Sequence, residues 1–301
     1  MSGRLGEIEN RIAATHQLDA VIAAMRGIAA SRSREAHERM AGIRAAAATA
    51  GAAIGEVLAF TRESALAGDP AAGDPAASNP AARDGAAGGD IGIVVGTEQG
   101  FAGALNDALA EEAQRLGGAR ACHWLLVGSR LVSAAAARGV ACAWSAPMAA
   151  HPDAIPPLAV RIADALYARL ATGERATRVT VLSAQPGEPR LRIAQRALIP
   201  FDFTRFQVPA RAQPPLVNVA PARLLSGLVE FYVFVELCET LMLAFAAENE
   251  ARVRAMLAAR ANVQQRLSDL TQRYRALRQE EITSEIVELS SGGQAARRTA
   301  D

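Results

Sequence analysis

Lysine is absent from this 301-residue chain, so every basic group other than histidine is an arginine. A phosphate-gripping loop of the GxxxxGK[ST] kind is therefore excluded. Aromatic residues make up only 4% of the chain, although half of it is apolar. Alanine fills much of that apolar share, and alanine is the best helix former and lets helices pack closely. Charge of one sign is also missing: the net charge is +1, which gives no basic field of the kind that binds nucleic acid. The three cysteines, Cys122, Cys142 and Cys238, are odd in number, far apart and without CxxC spacing. They point away from a disulfide framework and toward a reducing compartment. Residues 1–20 are polar and charged, unlike a signal peptide, and the apolar run 241–247 is flanked by Glu239 and Glu248. No stretch approaches the roughly 20 apolar residues of a membrane span.

What is present divides cleanly along the chain. Residues 3–64 contain no proline, and apolar residues recur at Leu5, Ile8, Ile12, Ile22, Met25 and Ile28, then at Met40, Ile43, Ile54 and Val57. These steps of three and four, or their multiples, mark one face of a helix roughly 90 Å long. Residues 67–90, AGDPAAGDPAASNPAARDGAAGGD, are small residues with proline and glycine, and read as a flexible linker. Residues 91–206 alternate apolar runs (IGIVVG, HWLLVG, RVTVLSA) with helix-like stretches near 103–116, 130–138 and 156–170. RLRIAQRALIP adds an edge strand, so the segment is expected to be a Rossmann-like open α/β sheet. From Pro221 to about Leu289 no further proline occurs, and Gly292 and Gly293 supply a stop. Met256, Arg260, Val263, Leu267, Leu270, Tyr274 and Leu277 alternate steps of four and three, a coiled-coil seam in a helix roughly 100 Å long.

The expected fold class is therefore α/β plus a long antiparallel α-helical coiled coil. Segments 1–66 and 207–291 supply its helices, a linker spans 67–90, the sheet domain spans 91–206 and a tail spans 292–301. A helix of such length cannot bury its stripe against a small domain alone, so its first partner is expected to be the other long helix, forming a rod.

The C-terminal stretch YRALRQEEITSEIVEL closely resembles the end of F-type ATP synthase gamma subunits. At the other end, RIAATHQLDAVIAAMRGIAASRSREA resembles the same family's N-terminal signature, centred on 25–31. TEQGFAGALN (97–106) is similar to the family's SDRGLCGGYN-type loop, with Gln99 in place of arginine and Ala102 in place of cysteine. The resemblance implies a rotor shaft that couples transmembrane ion flow to ATP synthesis or hydrolysis, without a catalytic site, cofactor or metal of its own. It implies as partners the alpha and beta subunits of the catalytic ring, an epsilon-type subunit and the membrane c-ring. It also implies a peripheral place on the cytoplasmic face of the cell membrane. By motif alignment, it assigns coupling contacts with the ring to Met25, Arg252, Gln279 and Thr283. It is consistent with a seam through Ile8, Ile12, Ile22, Val263, Leu267, Leu270, Tyr274 and Leu277.

Gln279 and Thr283, four apart, share a helix face, and Met25 on the opposing helix is expected to pack against it. The charges from Glu248 to Glu285 read, on composition alone, as a solvated face. The GTEQGFAG loop reads as a tight strand-to-helix turn rather than a phosphate cradle, so the isolated chain is expected to bind no nucleotide. His16, His37, His123 and His151 show no HxxxH or HExxH spacing. Two other classes fit the pattern of elements: a small α/β binding domain or enzyme dimerised through helical arms, and a coiled-coil scaffold. The first would need convergent polar groups in the sheet domain, where the sequence offers no Ser-His-Asp set and no carboxylate pair.

Overall fold

The computed structural model describes residues 2–66, 89–118, 122–171, 178–187, 191–209 and 216–298. The chain divides into two compact units, one of residues 1–28 with 253–301, the other of residues 29–252. Two helices contribute to both: α1 (Ser2–Leu66) and α5 (Pro221–Arg298). The freedom from internal proline in both segments accounts for their continuity. The linker expected at 67–90 lies outside the described residues except at its end, where Asp90 already begins a strand. Among the described residues, no helix is long and apolar enough to cross a membrane.

The larger unit is built on a five-stranded sheet: β1 (Asp90–Val95), β2 (Cys122–Val127), β3 (Cys142–Ala146), β4 (Val179–Gln185) and β5 (Arg192–Ile199). The strand order is β3-β2-β1-β4-β5. The first four run parallel, and β5 closes the edge antiparallel to β4. Between the strands lie α2 (Leu105–Gly117), α3 (Ser129–Ala137) and α4 (Ile155–Ala171). The central strands are buried on both faces, which is why they read as unbroken apolar runs. Ile91, Ile93 and Val95 point into one core with α4 and with parts of α1 and α5; Val94 and Leu126 point into the other with α2 and α3. Strand β3 went unread in the sequence because it is a short edge strand whose Cys142 and Ser145 face outward.

Within this unit α1 and α5 are tied to the sheet by arginine–carboxylate pairs. Glu239 of α5 accepts from Arg44 of α1 at 3.3 Å and from Arg196 of β5 at 3.2 Å, while Glu236 pairs with Arg205. The 203–209 segment lies directly on α1. A Cβ at Gly55 would stand 2.1 Å from the Gln207 carbonyl, so only glycine admits that approach.

In the smaller unit the Tyr274 hydroxyl donates to Glu9 at 2.8 Å, and Arg260 Nε donates to Asp19 at 3.2 Å. As the number rises along α1, its partner's number falls along α5, so these segments run in opposite directions. The inward positions step by three and four. On α1, Leu5, Ile8 and Ile12 are half-buried and Ile22 is buried. On α5, Met256 and Leu270 are buried, and Val263, Leu267, Tyr274 and Leu277 are half-buried. Ile28, expected on this face, is instead 55% exposed.

Candidate interaction surfaces

In the larger unit, the polar groups that converge lie at the carboxyl edge of the sheet, where open α/β folds hold their ligands. The loop leaving β1 runs from Thr97 to Gly103, and it is fixed from several sides. Asn106 of α2 accepts from the Thr97 backbone at 3.0 Å and donates to the Thr97 hydroxyl at 2.8 Å. The Glu98 carboxylate accepts from the Ser129 backbone N–H at 3.0 Å, the Ser129 hydroxyl at 2.5 Å and the Met148 N–H at 3.0 Å. It thereby fills the anion-accepting position at the N-terminus of α3 with the protein's own charge. Burial works against that charge, but the three hydrogen bonds outweigh it and hold the Glu98 pKa below its ordinary value. Gly128, just before α3, adopts φ 103°, and a Cβ there would stand 2.6 Å from the Thr97 carbonyl. Its lack of a side chain lets the two loops touch.

From the other side the loop is held by α5. Arg252 is 5% exposed. Its guanidinium donates to Glu248 at 2.6 Å, to Asn249 at 3.0 Å and to the Gly100 carbonyl at 3.4 Å. Glu248 also accepts from the Gln99 backbone, and burial pushes its carboxyl pKa up against the pull of Arg252. The expectation of a solvated charged face is thus corrected at these two positions, which are interior. The signal was present in the sequence: Glu248 and Arg252 stand four apart directly after the apolar run LMLAFAA. Glu98 and Phe101, both part of this site, carry no mark in the sequence that sets them apart from the residues of an ordinary tight turn.

In the smaller unit Met25 is half-buried on α1. Leu18, Val21 and Ile28, at helical spacing around it, are 50%, 54% and 55% exposed. Together they form an apolar stripe that flanks the buried Ile22 position. Gln279 and Thr283 are exposed on α5, joined by the Thr283 hydroxyl donating to the Gln279 carbonyl at 2.8 Å. The register set by Glu9–Tyr274 and Asp19–Arg260 puts Met25 level with about Met256. Gln279 and Thr283 stand near the start of α1 instead, where Arg4, Leu5, Leu277, Glu280 and Glu281 line a small cleft. The expected packing of Met25 against the Gln279–Thr283 face is therefore not found. The two lie roughly 35 Å apart along the helices, because the antiparallel register and not the shared family motif fixes the level. Among the described residues, no group of three or more His, Cys, Asp or Glu side chains is arranged to hold a metal.

Comparison with known proteins gives a consistent picture. The sequence model of the family described as ATP synthase matches residues 4–296. The chain is 36% identical over 85 residues to the ATP synthase gamma chain of Methylacidiphilum infernorum, covering 26% of this chain and 29% of that one. It is 42% identical over 69 residues to the gamma chain of a Sulfurovum species, covering 23% of each. The chain thus spans about a quarter of the length of these relatives. In fold it resembles a chain of the Euglena gracilis mitochondrial ATP synthase, with a TM-score of 0.65 at 13% identity, covering 100% of this chain and 97% of that one. It also resembles a chain from the central stalk and c-ring of the Tetrahymena thermophila mitochondrial ATP synthase, with a TM-score of 0.53 at 16% identity, covering 79% of this chain and 99% of that one.

Proposed function

Because this chain belongs to the ATP synthase gamma family, we propose that it is the central rotor shaft of an F-type ATP synthase or ATPase. The observation that carries the reading is the opposed pairing of α1 and α5 across residues 1–28 and 253–301, in a chain whose family match runs from 4 to 296. We read that pairing as an antiparallel coiled coil. Its seam passes through Ile8, Ile12, Ile22, Val263, Leu267, Leu270, Tyr274 and Leu277.

The mechanism follows from symmetry. A ring of identical catalytic sites cannot run out of phase by itself; it needs an asymmetric element that biases each site differently. A helical pair with one apolar stripe (Leu18, Val21, Met25, Ile28) and unevenly placed charges supplies that asymmetry. Turning it changes which site favours the empty, substrate or product state, a population shift driven by differential contacts. The chain contributes no catalytic group of its own. Its partners are the alpha and beta subunits of the ring, with the epsilon-type subunit and the membrane c-ring beyond it. It works at the cytoplasmic face of the cell membrane, held there by those partners. Met25, Gln279 and Thr283 serve as contacts with the ring at two separate levels of the shaft.

The test is purification of the tagged full-length chain from its native cell, followed by identification of co-purifying proteins. Alpha- and beta-type subunits are expected, with a single copy of the chain per ring. Recovery of the folded chain alone, or as a self-dimer binding a small molecule, would overturn the reading.

A further inference from the structure

In the larger unit, α1 and α5 share one apolar core with the sheet. Apolar burial has no preferred direction, so it opposes separation of the layers more than rotation of one over another. The directional bonds between these elements gather at one place on α5. The two oxygens of Glu239 are taken by different elements: Oε1 accepts from Arg44 of α1 at 3.3 Å and Oε2 from Arg196 of β5 at 3.2 Å. Glu236, three residues earlier, pairs with Arg205 and stands 3.9 Å from Arg196, which therefore lies between two carboxylates. Arg205 is fixed in turn, since it donates to the Tyr232 hydroxyl at 2.7 Å and lies over the Tyr232 ring at 5.0 Å. Strand β5 is joined to the sheet on its β4 side alone, and Arg196 is where it reaches α5. The side chains of Glu239 and Glu236 are only 17% and 4% exposed. Taking such charges out of water offsets much of their attraction, so the cluster is a poor source of stability. What it supplies is geometry, because each charge-assisted bond has a preferred length and direction.

We propose that Glu239 is a torsion joint of the shaft. It is a positioning residue whose bonds to Arg44 and Arg196 fix the angle of α1 and α5 on the sheet, so that torque applied to one of the three is carried by the others. This rests on the shaft reading above and deepens it. A turn of α5 against either neighbour strains one of the two bonds, and Glu236 limits how far Arg196 can follow. The apolar core keeps the three elements together, while the charged cluster keeps them in step.

The experiment uses single assembled complexes with the ring fixed to a surface and a bead on the exposed Cys142 of β3. At low ATP the shaft pauses between steps, and the variance of the bead's angle within a pause is inversely proportional to torsional stiffness. Glu239→Ala and Arg196→Met are each expected to raise that variance about twofold, since close packing retains the rest of the stiffness. Combined, they should raise it little further, because both release the same joint. Glu239→Asp, which keeps the carboxylate, should restore part of the stiffness. Glu239→Leu with Arg196→Leu replaces both charges by apolar bulk. That chain should melt no lower than the unmodified one and assemble, yet its angle should vary as widely as with Glu239→Ala. A role in stability alone would instead return the Leu–Leu chain to normal stiffness, and that result would overturn the proposal. So would an unchanged variance with Glu239→Ala, or losses of stiffness that add fully in the combined variant. Failure of the unmodified chain to enter any rotating complex is a different result, and counts against the shaft reading itself.

Discussion

Glu98 carries a charge that many α/β folds leave to a ligand. Its carboxylate closes the start of α3 and joins three backbone segments, so its loss is felt as a lost helix cap of about 1 kcal/mol. The pH dependence has a definite sign. The folded pKa lies below the ordinary value near 4.3. The stabilising contribution is therefore present above about pH 4.3 and lost as pH falls through the lower, folded value. Glu98→Gln is expected to melt lower than the unmodified chain at neutral pH and to converge with it under acid, where both carry a neutral side chain. Thermal melts of the purified chain across that range check this. A difference that persists or grows toward acid would mean that the Glu98 charge has no stabilising role. Little of this was legible beforehand. A glutamate in a loop has no sequence mark that tells a solvated group from a cap on a helix 31 residues away. Arg252 and Glu248 were misread for the opposite reason: charges on a long helix are usually solvated, and only contact with the β1 loop makes these two interior.

At the scale of elements, the long helices, four of the five strands and the order of the α/β segment could be read directly, although α5 continues to Arg298, past the stop expected at Gly292 and Gly293. They rest on local signals, namely proline-free length, steps of three and four, and apolar runs between glycines. Register could not be read, because it depends on which side chains meet across the helices. The sequence therefore placed Ile28 on the inward face, where it is 55% exposed, and Met25 against a face that lies about 35 Å away. This changes what a lysine at Met25 should do. The side chain is half-buried beside an exposed apolar stripe, so Met25→Lys can extend its ammonium to water and leave the helical pair folded. Against the ring the same charge would be desolvated, or would seek a carboxylate, and would hold the shaft at particular angles. The expected outcome is a melting temperature within a few degrees of the unmodified chain, continued ATP hydrolysis and fewer ions pumped per ATP. Relief by a Thr283 substitution, if found, must pass through the ring rather than through a contact between the two residues. Unchanged pumping with Met25→Lys would mean that the Leu18–Ile28 stripe does not meet the ring.

For the whole molecule, the shaft reading states that this chain turns while the ring stands still, and its own cysteines provide a handle. Burial pushes the Cys122 thiol up to about 12, with Asp90 adding to the shift, and the Cys238 thiol up to about 11. Thiols so far from ionisation react slowly, whereas Cys142 is exposed on the edge strand β3. A maleimide probe should therefore mark Cys142 selectively without any substitution. With the ring fixed to a surface and a visible bead on Cys142, addition of ATP should produce continuous rotation in one direction, stopping when ATP is exhausted. A bead that stays in place while the same complexes hydrolyse ATP would contradict the account.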